Sequence, residues 1–166
     1  MPPIHLRDVF IAELSAALGA DRQLLDAWPL LEDAASARTL KGFCAEGVDY
    51  TQERIRRLET AFAFLKVEMA AKPSDAVACL IKDATEVATA GVAGPVRDAA
   101  ILASIQKLTH YGHASYTSIV GFAETLEEDD VAILLDASLD EKGEAIEEMT
   151  DMAADEINPR AARADA

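Results

Sequence analysis

Two of the chain's three histidines, His110 and His113, stand three residues apart in "KLTHYGHASY" (107–116). On a helix that spacing places both imidazoles on neighbouring turns of one face. With carboxylates from other segments, such a pair would make half of a metal site, and Asp21 and Glu141 are the acids it would take. Iron or manganese would be the metal, since these ions favour oxygen ligands with some imidazole. The competing reading makes both histidines partly buried helix residues, hydrogen-bonded near helix or dimer contacts. No nucleophile stands with its base, and no glycine-rich loop is built to cradle a phosphate. Cys44 and Cys79 lack the close spacing of a metal or redox motif and read as buried or idle thiols of a reducing compartment.

Helices must position these groups. From Leu6 to about Glu32, the residues Phe10, Leu14, Leu18, Leu24, Leu25, Trp28 and Leu31 recur at three- and four-residue steps. A second long helix is expected from about Ala37 to Val67, with Leu40, Phe43, Thr51, Ile55, Leu58, Phe62 and Leu65 on its inner stripe. "KPSD" breaks the pattern, and Ser74 or Asp75 can cap a shorter helix, "AVACLIKDATEVATAG". Gly94 and Pro95 stop it, with Pro95 opening a third long helix that runs to about Leu126. "EEDD" opens a fourth, from about Asp130 to Glu156, and "INPRAARADA" reads as a tail. No segment alternates with period two, so no sheet is expected.

The expected fold is therefore all-α, with residues 1–157 as one domain and 158–166 as a C-terminal tail. Short connections make antiparallel hairpins of the first and last helix pairs. The connection from about Glu68 to Gly94 is long enough to cross the bundle. That is ferritin-like topology, a four-helix bundle with a short additional helix in the crossover.

Composition narrows the function classes. The chain has 166 residues, 51% hydrophobic but only 5% aromatic, so its core is built mostly of Ala, Leu, Val and Ile. Its 30 acidic residues outnumber 15 basic ones, a formal charge of −15 that argues against nucleic acid and anionic membranes as partners. "MPPIHLRDVF" carries charge where a secretory signal would be apolar. The longest stretch free of Asp, Glu, Lys and Arg, Leu108 to Ala123, is short of a membrane span. A cytoplasmic location is expected.

The polar residues that interrupt the inward stripes define the candidate core site. They are Asp21 on the first helix, Tyr50 and Arg54 beside Thr51 on the second, Thr109 and Gly112 on the third, and Lys142 in the seam shared with Ile146 on the fourth. Two metal ions require several anionic ligands, and Arg54 and Lys142 would repel them. A buried aspartate paired with Arg and Lys is coherent without metal, because each charge alone would bear a desolvation penalty of several kcal/mol. The expected chemistry is a charge cluster of Asp21, Arg54 and Lys142, with Tyr50 supplying a hydrogen bond.

The chain also resembles the bacterial YciE/YciF-type ferritin-like stress proteins, relatives of the rubrerythrin group, over nearly its full length. The residues that carry the likeness are "DVFIAELSAALGADRQLL" (8–25), "TQERIRRLE" (51–59), "VRDAAILASIQKLTHYGHASY" (96–116), "LLDASLDEK" (134–142) and "MTDMAADEINPRA" (149–161). The resemblance implies the ferritin-like bundle and a homodimer. It also shows where this chain departs from the family's metal-ligand pattern. Asp21 stands for a Glu on the first helix, and Tyr50 and Arg54 stand for a Glu and a Gln or His on the second. Where the third helix of the family reads Glu-His-Tyr-Glu, this chain has Thr109, His110, Tyr111 and Gly112. Lys142 and Ile146 replace a Glu and an Asp on the fourth. Only Asp21 keeps a carboxylate. The function these departures imply is a non-enzymatic, stress-associated structural or interaction protein with a degenerate core site and no cofactor. One alternative is an iron- or manganese-dependent oxidase or peroxide-handling protein using Asp21, His110, His113 and Glu141. The other is a small apolar ligand lodged near Gly112.

Overall fold

The apolar steps of the sequence become helices in the computed structural model, which describes residues 5–164. In chain order they are α1 (Leu6–Ala34), α2 (Arg38–Leu65), α3 (Asp75–Thr89), α4 (Pro95–Thr125) and α5 (Asp129–Met152). A π-helical turn, Ala153–Ile157, then leads into α6, Asn158–Ala164. Among the described residues there is no strand. The long helices form a ring in which α1 packs against α2 and α4, and α5 packs against α4 and α2. The crossover carries α3, which lies on α1 and α4. Of the two candidate caps it uses Ser74, whose side chain accepts from the Val77 amide. None of the described helices is long and apolar enough to cross a membrane.

Close approaches fix the crossover and the first hairpin. Lys72 N–H bonds the Ser15 carbonyl at 2.9 Å, bringing the crossover backbone onto α1. A Cβ at Gly19 would stand 1.9 Å from the Lys72 carbonyl oxygen, so residue 19 must be glycine for this chain path. The start of α2 has no capping side chain of its own. Asp98, in the first turn of α4, supplies one from across the bundle. Its two oxygens accept the Ser36 and Ala37 amides at 2.7 and 2.9 Å.

The core divides into two apolar clusters. One gathers Leu24, Trp28, Leu40, Cys44, Leu102, Ile105 and Met149, with Val77 and Ala84 of α3. The other gathers Phe10, Leu14, Leu18, Leu58, Phe62, Tyr116, Ile119 and Leu135. Each long helix contributes buried polar residues to a layer between the two: Asp21 on α1, Thr51 and Arg54 on α2, Thr109 on α4, and Ser138 and Lys142 on α5.

The segment read as a tail carries a helix. Residues 158–164 are helical, and Ile157 is buried in the first apolar cluster. Asn158 and Pro159 look like a stop signal, because proline inside a helix collides with the carbonyl four residues earlier. The π turn removes the conflict: Asn158 N–H bonds the Ala153 carbonyl five residues back, and the wider turn leaves room ahead of the proline ring. The last two residues of that tail, and residues 1–4, lie outside the described residues.

Candidate functional site

Asp21 is the hub of the polar layer, 4% exposed. Its Oδ2 accepts a 2.7 Å hydrogen bond from the Tyr116 hydroxyl on α4. Its Oδ1 faces two cations, Arg54 Nε on α2 at 3.7 Å and Lys142 Nζ on α5 at 3.9 Å. All three members of the expected charge cluster therefore meet. Burial, and next the Asp21 carboxylate, push the Tyr116 phenol well above its ordinary pKa, so it stays a donor. Burial, and next the positive charge of Arg54, push the Lys142 amine down to about 8, against the opposing pull of Asp21 and Glu141.

A second tier supports the hub. Thr51 Oγ1 accepts from both Trp28 Nε1 at 2.9 Å and an Arg54 terminal nitrogen at 2.7 Å, which orients the guanidinium. One turn along, Arg57 reaches α5, where it pairs with Glu141 Oε1 at 2.7 Å and donates to the Ser138 hydroxyl at 3.2 Å. Two buried polar atoms next to this network have no hydrogen-bond partner, Arg54 Nε and Glu141 Oε2.

Several expected site residues stand elsewhere. Tyr50 is half exposed and makes no bond to Asp21; Tyr116 holds that place. The reason is rotation: Thr51, one residue on, points inward, and a single residue turns a helix by about 100°. Ile146 packs half-buried on the first apolar cluster. His110 is exposed and His113 half-buried. Among the described residues, no three or more His, Cys, Asp or Glu side chains gather in a way that could hold a metal ion. So the alternative set of Asp21, His110, His113 and Glu141 is not brought together. Thr109 is buried in the layer. The space expected beside Gly112 is filled by Lys142, whose Nζ lies 2.7 Å from where a Cβ at 112 would be. Of the thiols, Cys44 is buried and its pKa is pushed up to about 12 by burial, while Cys79 is exposed.

Sequence reasoning missed Tyr116 as the partner of Asp21, and the Arg57–Glu141–Ser138 group. A signal for the latter existed: Arg57 follows Arg54 by three and Ser138 precedes Lys142 by four, both helical same-face steps.

Beside the layer, a cleft opens between α2 and α5, with Trp28, Phe43 and Tyr50 as aromatic wall and Arg54, Glu141 and Lys142 at its inner end.

A helical bundle with this crossover finds clear relatives. A family model described as a domain of unknown function, DUF892, matches residues 5–162. The chain belongs to that family. Protein YciF of Escherichia coli K12 is 32% identical over 159 residues, 94% of this chain and 95% of that protein. The crystal structure of the E. coli stress protein YciF matches with a TM-score of 0.90, at 30% identity, over 94% of this chain and 99% of that one. YcfI from Rhodopseudomonas palustris, a proposed structural protein, matches with a TM-score of 0.84, at 28% identity, over 88% and 93% of the two chains. The resemblance read from the sequence and the all-helical bundle are both borne out.

Proposed function

We propose that this protein is a non-catalytic, stress-associated structural or interaction protein whose core position for metal is held by internal charges. The observation that carries the reading is the placement of Arg54 Nε and Lys142 Nζ at 3.7 and 3.9 Å from the single inward carboxylate, Asp21. A pair of iron or manganese ions would need several anionic or imidazole donors there. The donors present do not fit such a pair: one carboxylate is already satisfied by a phenol and two cations, and Glu141, the acid beside Lys142 on α5, is paired with Arg57. The names of the relatives, a stress protein and a proposed structural protein, support the same direction. On this reading the protein is cytoplasmic and a homodimer, and it acts by what it binds on its surface.

The deciding experiment is elemental analysis of untagged protein, purified without chelators, before and after anaerobic loading with iron and manganese. The expected content is well below one ion per chain in every sample. One or two ions per chain would overturn the charge-filled core and restore a metal-dependent oxidase as the reading. Light scattering tests the dimer, which fails if the measured mass is that of one chain.

A further inference from the structure

The cleft between α2 and α5 ends in unanswered charge of opposite sign at its two ends. In the polar layer, the cations Arg54, Arg57 and Lys142 stand against only two carboxylates, Asp21 and Glu141. Arg54 is 6% exposed and lines the inner end of the cleft, and its Nε is buried with no hydrogen-bond partner. Lys142 lines the same end, and its 3.9 Å contact with Asp21 is too long for a hydrogen bond. A buried charged donor without an acceptor is costly, so the inner end lacks one anion.

At the mouth the balance is reversed. Glu46 on α2 and Glu144 and Glu148 on α5 line the cleft as exposed residues, and among the described residues none of their carboxylates has an ion-pair or hydrogen-bond partner. Partial burial, and next the charge of Glu46, push the Glu148 carboxyl above its ordinary range, so these two acids repel across the cleft. The wall is aromatic, made by Trp28, Phe43 and Tyr50. Trp28 and Phe43 meet edge-on, with ring centroids 6.3 Å apart and planes at 71°. The indole is fixed by its 2.9 Å bond to Thr51 and by Gly47, where a Cβ would stand 2.7 Å from a ring carbon. That part of the wall is therefore in place before anything binds. The cavity measures about 80 Å³. One water needs roughly 10–15 Å³, so there is room for a small molecule of several heavy atoms.

These features select a ligand by charge and by surface. Carboxylates pair with guanidinium, and methylated ammonium groups sit on aromatic faces. An anion alone would meet three carboxylates at the mouth, and a cation alone would leave the Arg54 donor unanswered. We propose that the cleft binds a small zwitterion end-on, its carboxylate inward on Arg54 and Lys142 and its methylated ammonium outward against the aromatic wall, beside Glu46, Glu144 and Glu148. The site rests on the reading of a layer filled by charges rather than metal, because a pair of metal ions would occupy the inner end. It goes beyond that reading in giving the excess cation of the layer a ligand.

The test titrates glycine betaine by calorimetry into untagged protein whose metal content has been measured. One molecule is expected to bind per chain. Choline keeps the ammonium without the carboxylate, and the tert-butylacetate anion keeps the shape and the carboxylate with carbon in place of nitrogen. Each should bind about tenfold more weakly than glycine betaine, and so should glycine, which lacks the methyl groups. Glu46→Gln combined with Glu148→Gln changes two exposed residues, and should weaken glycine betaine several-fold without weakening tert-butylacetate. Metal-free protein that shows no saturable binding, or that takes glycine betaine no more tightly than tert-butylacetate or glycine, overturns the zwitterion site and leaves the charge-filled layer standing. One or two metal ions per chain would overturn the layer, and the site with it.

Discussion

Asp21 and Asp98 are both buried, at 4% and 2% exposure, and the protein treats them in opposite ways. Asp98 is satisfied by backbone: two amides at the start of α2 donate to it, while its neighbour Arg97 donates to the Ala34 carbonyl at 2.9 Å. Helix ends leave such groups free, so a carboxylate placed there needs no second charge. Asp21 sits mid-bundle, where every backbone amide is already used within its own helix. Only side chains can answer it, and they arrive at distances set by helix spacing, one hydrogen bond and two cations beyond hydrogen-bond range. The first aspartate is a joint of the fold. Asp21, the other, is answered by side chains alone, so its support depends on how the four helices pack.

The contrast is broken most severely by removing each aspartate. Asp21→Ala strands Arg54 and Lys142 in the core and should cost about 3–5 kcal/mol in denaturant unfolding. A loss no greater than that of the exposed Asp136→Ala would show that Asp21 holds nothing together. Asp98→Ala leaves two amides unanswered and should cost about 2–4 kcal/mol. The two losses should add within about 0.5 kcal/mol, because the sites share no partner. Strong coupling in the double variant would mean that the α1–α2 turn and the polar layer respond as one unit. Smaller again is Tyr116→Phe, which removes one hydrogen bond to a charged acceptor and should cost about 1.5–3 kcal/mol. Tyr50→Phe, at the cleft mouth, should change stability by less than about 0.5 kcal/mol. Reversal of that order would return Tyr50 to the core.

These sites also mark what the sequence makes legible. The four long helices, the crossover helix and its Ser74 cap follow from apolar spacing and breaker residues, since each helix buries a single stripe. Asp21, Arg54 and Lys142 are legible for the same reason, as polar interruptions of apolar stripes. Which tyrosine meets Asp21 is not. Tyr50 and Thr51 differ by one residue, and periodicity does not fix helix rotation more finely than that. Tyr116 reads as an ordinary apolar member of its stripe, because nothing local reveals that its hydroxyl ends opposite α1. Asp98 is opaque in another way: its role depends on where the α1–α2 turn lies across the bundle, a distance of about 60 residues in sequence. The π turn before Pro159 is hidden because proline ordinarily stops a helix, and only the buried Ile157 hints that the chain continues inward.

The finest test of the contrast is pH, applied to the cation that Asp21 holds at a distance. Burial lowers the Lys142 amine from 10.5 to about 8 in the folded state, so its charged form costs stability. Below about pH 8 both folded and unfolded chains carry the proton, and the cost is constant. From about pH 8 towards 10.5 the unfolded chain binds more protons than the folded one, so the cost is relieved as pH rises. Cys44 works the other way: its thiol moves from 9.0 to about 12 on folding, so its contribution is lost as pH climbs above 9. The two slopes oppose each other above pH 9 and leave pH 8–9 as the window in which Lys142 acts alone. Subtracting the profile of Lys142→Met removes Cys44 from the comparison. The stability of the native chain relative to this variant should then rise by about 1 kcal/mol between pH 8 and pH 9. A difference that stays flat from pH 7 to pH 10 would mean that Lys142 reaches water as freely as Lys82. The loosely held cation would then be no more strained than the tightly capped aspartate, and the distinction between the two regions would vanish.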